Sequence, residues 1–194
     1  MTLPAPPFNL QRPALTHCNH CGTLLESRVP PGDGHHRMVC PACGTIHYEN
    51  PKLVVGCLPV WEGKLLLCKR AIEPRYAYWT LPAGFMENGE TTADGAARET
   101  LEEAGAQVKN LAPFSIIDVP YVHQVHFFFL ADLATLDFSP GEESLEVRLF
   151  AEDEVPWSEL AFYTVIETMK LYYADRGAGR YGFHNLSLRA KPVP

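Results

Sequence analysis

Two apolar runs, Lys52–Val60 and Lys64–Arg70, flank Trp61-Glu62-Gly63-Lys64. Strand-forming residues on both sides of a Glu-Gly tip predict a β-hairpin, and its register sets Cys57 opposite Cys68. Two reduced thiols packed there as small hydrophobes are expected in preference to a redox pair. Further strands are predicted near Phe114–Val119, Val125–Ala131 and Glu146–Phe150. The aromatic stretch Tyr76–Leu81 leads into Pro82-Ala83-Gly84. Beyond it, Thr91 or Thr92 caps a helix that runs to about Ala104, where Gly105 supplies a stop. A last helix is predicted from about Phe162 to Asp175, with Val165, Ile166, Met169 and Tyr172 or Tyr173 at core-facing spacing. Strands mixed with helices at two places predict an α/β layered domain.

Length and composition set the scale. A chain of 194 residues, 46% hydrophobic, 20% charged and 11% aromatic, has the size of one domain with a small appendage, which excludes disordered and fibrous architectures. No apolar run approaches the roughly 20 residues that span a bilayer. Met1-Thr2-Leu3-Pro4-Ala5-Pro6-Pro7 shows neither a basic leader nor an apolar segment, so a cytoplasmic location is expected. Sixteen Lys+Arg against 23 Asp+Glu give −7, an unfavourable balance for a nucleic-acid partner. Most of that excess lies between Gly84 and Gly105, where Glu87, Glu90, Asp94, Glu99, Glu102 and Glu103 face the single base Arg98.

Residues 1–50 read as a separate unit, ahead of a larger domain over 51–194. A leader with Pro4, Pro6, Pro7 and Pro13 is expected to be irregular and mobile. Then comes Cys18-Asn19-His20-Cys21, eighteen residues, and Cys40-Pro41-Ala42-Cys43. Two Cys-x-x-Cys knuckles at this separation suit tetrahedral Zn²⁺ held by Cys18, Cys21, Cys40 and Cys43. Gly22 and Gly44, directly after the knuckles, permit the tight turn around a metal. His17, His20 and His47 are alternative ligands, but four thiolates already complete the site. The balance of three bases and three acids marks no nucleic-acid grip, and zinc is expected to stabilise a subdomain with too little core of its own.

The chemistry is expected from the acidic stretch. On a helix Glu99, Glu102 and Glu103 stand at i, i+3 and i+4, close enough to repel one another. Hard divalent ions with oxygen ligands, Mg²⁺ or Mn²⁺, suit such a cluster, and the Pro82-Ala83-Gly84 turn offers a backbone carbonyl from Ala83 or Gly84. Carboxylate-bound Mg²⁺ keeps waters and engages phosphates, so diphosphate hydrolysis is the natural reaction.

Gly84 to Gly105 is similar to the Nudix box, G-x5-E-x7-R-E-U-x-E-E-x-G-U, at all seven fixed positions; Thr100 and Ala106 are small for the two bulky ones. The resemblance implies an α/β/α sandwich around a mixed sheet, preceded by a zinc ribbon. It also implies Glu99, Glu102 and Glu103 as the metal-binding face and Arg98 as the residue that orients Glu90 or Glu99. Glu143 or Glu146 is implied as a further ligand or general base. Dimers are frequent in the family, so a homodimer is expected.

Zinc-ribbon NADH pyrophosphatases, some of which decap NAD-capped RNA, carry S-Q-P-W-P-F-P-x-S after the box; Gln107 to Leu130 holds nothing like it. The stretch from the first knuckle through Asn50–Cys57, then Leu66–Arg70, Trp79–Gly84, Glu143–Phe150 and Leu160-Ala161-Phe162, instead resembles the plant plastid FAD pyrophosphatases and their bacterial relatives. That resemblance implies FAD + H₂O → FMN + AMP, with ADP-ribose as a further substrate. The alternatives are an NADH or NAD-cap pyrophosphatase and a module that senses ADP-ribose or a flavin without cutting it. For the substrate, Arg70 (with Lys69) is a candidate phosphate contact, and Tyr78 and Phe85 (with Tyr76, Phe114 and Tyr121) are candidate stacking surfaces.

Overall fold

A computed structural model describes residues 15–189, so the Pro-rich leader lies outside the described residues. The chain forms two compact units, Met1–Asn50 and Pro51–Pro194.

In the first unit β1 (Glu26–Arg28), β2 (Arg37–Val39) and β3 (Ile46–His47) form an antiparallel sheet in that order. The two knuckles close alike. Gly22 N–H donates to the Cys18 carbonyl at 2.8 Å, and Gly44 N–H to the Cys40 carbonyl at 3.0 Å. Both glycines adopt positive φ, 76° and 74°, where a side chain is disfavoured. The buried cluster is Cys18, Leu25 and Cys40, with Leu15 and Met38 against it.

The second unit begins with β4 (Lys52–Trp61) and β5 (Lys64–Arg70), then β6 (Trp79–Thr80), β7 (Ala83–Phe85) and α1 (Thr92–Ala104). It continues with β8 (Val108–Val119), β9 (Gln124–Leu133), β10 (Ser144–Phe150), α2 (Tyr163–Ala178) and β11 (His184–Ser187). One sheet runs β10-β5-β4-β9-β8-β11, with β6 on β5 and β7 on β4. The β4–β9 and β8–β11 pairs are parallel and the others antiparallel. Alternation along β4 splits its side chains between two layers. Val55 and Cys57 pack with Ala96 of α1 and with Phe129 and Ala131. Leu58 packs with Leu67, Phe114 and Phe128 and with Val165, Met169 and Tyr172 of α2. The mixed sheet between two helices is the expected sandwich.

The hairpin differs from expectation beyond its tip. Glu62 and Gly63 take φ 49° and 79°, as a tight two-residue turn requires, and Val60 faces Leu65 as predicted. From there the strands part, because the buried Trp79–Leu81 segment and the turn after it claim both edges. Cys68 lies opposite Thr80, and Gly56 opposite Ala83. Cys57 therefore does not face Cys68. Its thiol donates to the Ala96 carbonyl at 3.4 Å, while Cys68 packs with Leu66, Ala104, Ala106 and Leu133. Both thiols are free and buried, and burial pushes Cys57 up to about 11 and Cys68 higher still. The last helix also runs past Asp175 to Ala178, where Gly179 ends it at φ 68°.

His126 of β9 lies between Val54 and Ile117 in the ladders, with Nε2 2.9 Å from Gln124 Oε1. Burial holds its pKa down at about 4, against about 6.5 in an unfolded chain. The native state thus binds fewer protons than the unfolded state between those values, so stability falls as pH drops from about 6.5 towards 4. All three tryptophans, Trp61, Trp79 and Trp157, belong to the second unit, so their fluorescence in urea isolates its unfolding. We expect wild type to lose up to about 1.4 kcal/mol per pH unit there, and His126→Gln to lose distinctly less. Equal slopes in the two proteins would contradict the assignment.

Candidate active site

The helix at the centre of the site has well-defined ends. Thr91 Oγ1 accepts from Asp94 N–H at 3.2 Å and the Asp94 carboxylate accepts from Thr91 N–H at 3.4 Å, a reciprocal cap. Gly105, at φ 59°, closes the other end through its N–H to the Leu101 carbonyl. The two small residues at bulky box positions fit their places. Thr100 is fully buried with its hydroxyl donated to the Ala96 carbonyl at 2.8 Å, and Ala106 packs against Leu66 and Leu133.

The three glutamates of the cluster are not equivalent. Glu99 and Glu103 are buried, at 9% and 8% exposure, whereas the Glu102 side chain is 59% exposed. Glu99 lies directly over Gly84, where a Cβ would stand 2.3 Å from its carboxyl carbon, so a side chain at this position would displace the carboxylate. Glu103 Oε2 accepts from Ala83 N–H at 3.1 Å. Antiparallel pairing settles the two carbonyls of this turn. Cys57 N–H donates to Pro82 O and Met86 N–H to Leu53 O, so alternation assigns the Gly84 carbonyl to Val55. The Ala83 carbonyl stays clear of that ladder and is the better placed of the two candidates.

Arg98 binds more than one of its expected partners. Its Nε and Nη2 fork onto Glu90 at 3.0 and 2.8 Å, and Nη1 donates to Glu99 at 2.8 Å and to Glu102 at 3.1 Å. Nη2 also reaches the Phe85 carbonyl at 3.3 Å. This fork, helped by Glu87 N–H, holds Glu90 down at about 2. Burial raises Glu99 despite Arg98. Burial pushes Glu103 up to about 8; the Ala83 amide opposes that and the Glu99 charge adds to it. Two carboxyls kept out of water beside each other are stabilised further as anions by added positive charge. Oxygen donors of this kind suit Mg²⁺ or Mn²⁺, and Mg²⁺, which retains waters, needs no closed protein cage.

Glu143 lies just before β10, and its charge acts on Glu99, Glu103 and Arg70. Glu146 sits opposite Lys69 in the β5–β10 ladder. Arg70 is half-buried at the end of β5, donates Nε to the Pro74 carbonyl at 2.8 Å and covers the Phe162 ring at 5.1 Å. Burial lowers its pKa and the nearby Glu103, Glu143 and Glu73 counter that. Tyr78 lies under Arg75 at 5.1 Å. Phe85 is 45% exposed with Lys52 Nζ 4.2 Å from its ring centre. Phe114 is a correction: at 1% exposure it belongs to the core and offers no stacking face. Lys52 and Phe162 were not foreseen, since an isolated Lys or Phe in an apolar run carries no sign of what it will touch.

In the first unit the ligand atoms of Cys18, Cys21, Cys40 and Cys43 lie within 4.8 Å of one another. Three of the Sγ pairs stand at 3.4, 3.6 and 3.7 Å. Tetrahedral zinc with 2.3 Å bonds sets sulfurs about 3.8 Å apart, so the tetrad fits the ion. Among the described residues it is the only such group of three or more ligands. The glutamates are not drawn together that tightly, and Arg98 bridges two of them. No described helix is long and apolar enough to cross a membrane.

Comparison with known proteins finds family matches in both units. Residues 50–169 match the NUDIX domain model, and residues 16–49 match the Nudix N-terminal zinc-ribbon model. A NUDIX hydrolase from Nitrosomonas europaea has a crystal structure 50% identical to this chain, with a TM-score of 0.87 over 91% of this chain and 100% of that one. An ADP-ribose pyrophosphatase from Streptococcus suis 89-1591, 21% identical over 72% of this chain and 100% of that one, shares the fold at a TM-score of 0.56. The NAD-capped RNA hydrolase NudC of Stutzerimonas stutzeri (strain A1501) is 34% identical over 145 residues, 72% of this chain and 49% of that protein. That of Chromobacterium violaceum is 33% identical over 129 residues, 66% and 47%. The chain spans about half the length of the curated relatives it matches. These curated relatives are named for NAD-capped RNA and not for FAD. The chain belongs to the Nudix hydrolase family, a Nudix domain preceded by the family's zinc ribbon.

Proposed function

We propose that this protein hydrolyses the diphosphate bond of a dinucleotide with the help of Mg²⁺ or Mn²⁺, and that an NAD-type end, free or on RNA, is its preferred substrate. The observation that carries the reaction is the buried pair Glu99 and Glu103 beside the Arg98 fork. The NAD-type preference is supported by relatives at 33–34% identity named for NAD-capped RNA. Glu99, Glu102 and Glu103, with Glu143, would hold the ion, which when bound polarises a phosphoryl oxygen and makes water a better nucleophile. Arg98 fixes Glu99 and Glu102 in orientation and anchors both to Glu90. Arg70 adds positive charge for the diphosphate. Phe85, beside Lys52, presents an open ring face to a base or nicotinamide.

FAD is the second reading. Gln107 to Leu130 lacks the S-Q-P-W-P-F-P-x-S motif of the NADH enzymes, and a net charge of −7 does not favour a long RNA track. One panel separates them: NADH, NAD-capped RNA, FAD and ADP-ribose, each with Mg²⁺ or Mn²⁺, read by released mononucleotide. Reduced nicotinamide mononucleotide from NADH and nicotinamide mononucleotide from NAD-capped RNA, both faster than FMN from FAD, are the expected result. Faster FMN release selects the second reading, and no product from any substrate defeats both.

A further inference from the structure

The loop that carries Glu143 is pressed onto the C-terminal end of α1 more closely than any residue but glycine permits. A Cβ at Gly141 would stand 1.7 Å from the Glu102 carbonyl oxygen and 3.3 Å from Glu103 Cα. Even weakly attractive carbon–oxygen contacts need about 3.3 Å, so this is a closed approach of two backbones. Through it, Gly141 N–H donates to the Glu103 carbonyl at 3.0 Å and Ser139 N–H to the Ala104 carbonyl at 2.9 Å. Both carbonyls belong to the last turn of the helix, which has no partners for them of its own.

The loop has little slack to absorb a shift. Ser144 N–H donates back to the Gly141 carbonyl at 3.1 Å, and the Glu143 carbonyl accepts from Ala71 N–H at 2.8 Å. Glu143 is therefore held between the end of the helix and the end of β5. The carbonyl that receives Gly141 belongs to Glu103 itself, whose carboxyl feels the Glu143 charge.

We propose that Gly141 is a positioning residue for the proposed diphosphate hydrolysis: its backbone contact with Glu102 and Glu103 sets where the Glu143 carboxylate stands relative to Glu99 and Glu103. The inference rests on the function proposed above and assigns the residue that brings a carboxylate of a separate loop into register with the helix.

The test is a double-mutant cycle of Gly141→Ala and Glu143→Gln, read first without substrate as Mn²⁺ affinity, from the electron paramagnetic resonance signal of free Mn²⁺. Each single variant is expected to weaken Mn²⁺ about tenfold or more. The double variant should be no weaker than Glu143→Gln alone, since misplacing a residue that is already neutral costs nothing further. Turnover of the best substrate should fall about 10²-fold in Gly141→Ala with KM little changed. Additive losses, or wild-type Mn²⁺ affinity in Gly141→Ala, overturn the proposal. A glycine inserted between Pro140 and Gly141 frees the loop without a clash and is expected to reproduce the effect if the alanine variant folds poorly; wild-type affinity in it likewise overturns the proposal. A coupled cycle in a protein that cuts no dinucleotide would uphold the positioning role and reject the activity; additivity in an active enzyme would do the reverse.

Discussion

Glu103→Gln is expected to leave a folded protein whose dinucleotide hydrolysis falls by about 10³-fold or more, the scale of removing a principal anionic ligand from a metal-assisted reaction. Folding should survive because glutamine has the same shape and its amide oxygen can accept the Ala83 N–H that Glu103 accepts at 3.1 Å. The exchange even removes a penalty. Glu103 is 8% exposed, and burial pushes its carboxyl up to about 8, so near neutral pH the metal-free protein resists ionising it. A neutral amide at that place is expected to keep the melting temperature of chelator-treated protein at or above the wild-type value. Added Mn²⁺ should raise the melting temperature of wild type and do so much less in the variant, because a ligand stabilises only in proportion to its affinity for the native state. A variant that keeps more than a tenth of its turnover, or that melts several degrees lower without metal, would show that Glu103 serves the fold and not the ion.

That separation between fold and chemistry also marks what could be read from the chain. Fixed spacings carried the site: the i, i+3, i+4 glutamates, Arg98 just before them and the paired knuckles name their neighbours because a helix and a tight turn leave no freedom. Local polarity carried β4, β5, β9, β10 and both helices to within a few residues, but it missed β11 and the first six residues of β8. What failed was non-local. Turn chemistry at Glu62-Gly63 fixed the first pairs of the hairpin but not the entry of Trp79–Leu81 between its arms, which depends on competition for sheet edges. Phe114 reads like any other exposed candidate until the sheet buries it against α2. The approach of Gly141 to Glu102 spans a loop between distant elements, and its only trace is one glycine in an acidic turn. The substrate was least legible, since the residues around Phe85 and Arg70 fit any flat ring joined to a diphosphate.

Cys40→Ser is expected to unfold the first unit and leave the second standing. The buried cluster of the ribbon consists of Cys18, Leu25 and Cys40 with Leu15 and Met38 against it, so two of its three central members are metal ligands themselves. So small a core cannot offset the conformational entropy of ordering its chain. Zinc binding to a four-thiolate site supplies about 10–16 kcal/mol at neutral pH, and a serine hydroxyl in place of one thiolate forfeits much of it. Zinc content should therefore drop from one ion per chain to near zero after dialysis against a moderate chelator. Amide exchange should accelerate at Cys18, Leu25 and Cys40, whose N–H groups now donate to Thr23, Thr16 and Thr45 carbonyls at 2.8 to 2.9 Å. The tryptophan transition, which reports on Trp61, Trp79 and Trp157 of the second unit alone, should persist with nearly its original midpoint. A variant that retains a full equivalent of zinc would refute the four-thiolate site. One that loses zinc yet keeps its amides protected would show that the ribbon folds on its hydrophobic contacts, leaving the metal a passenger.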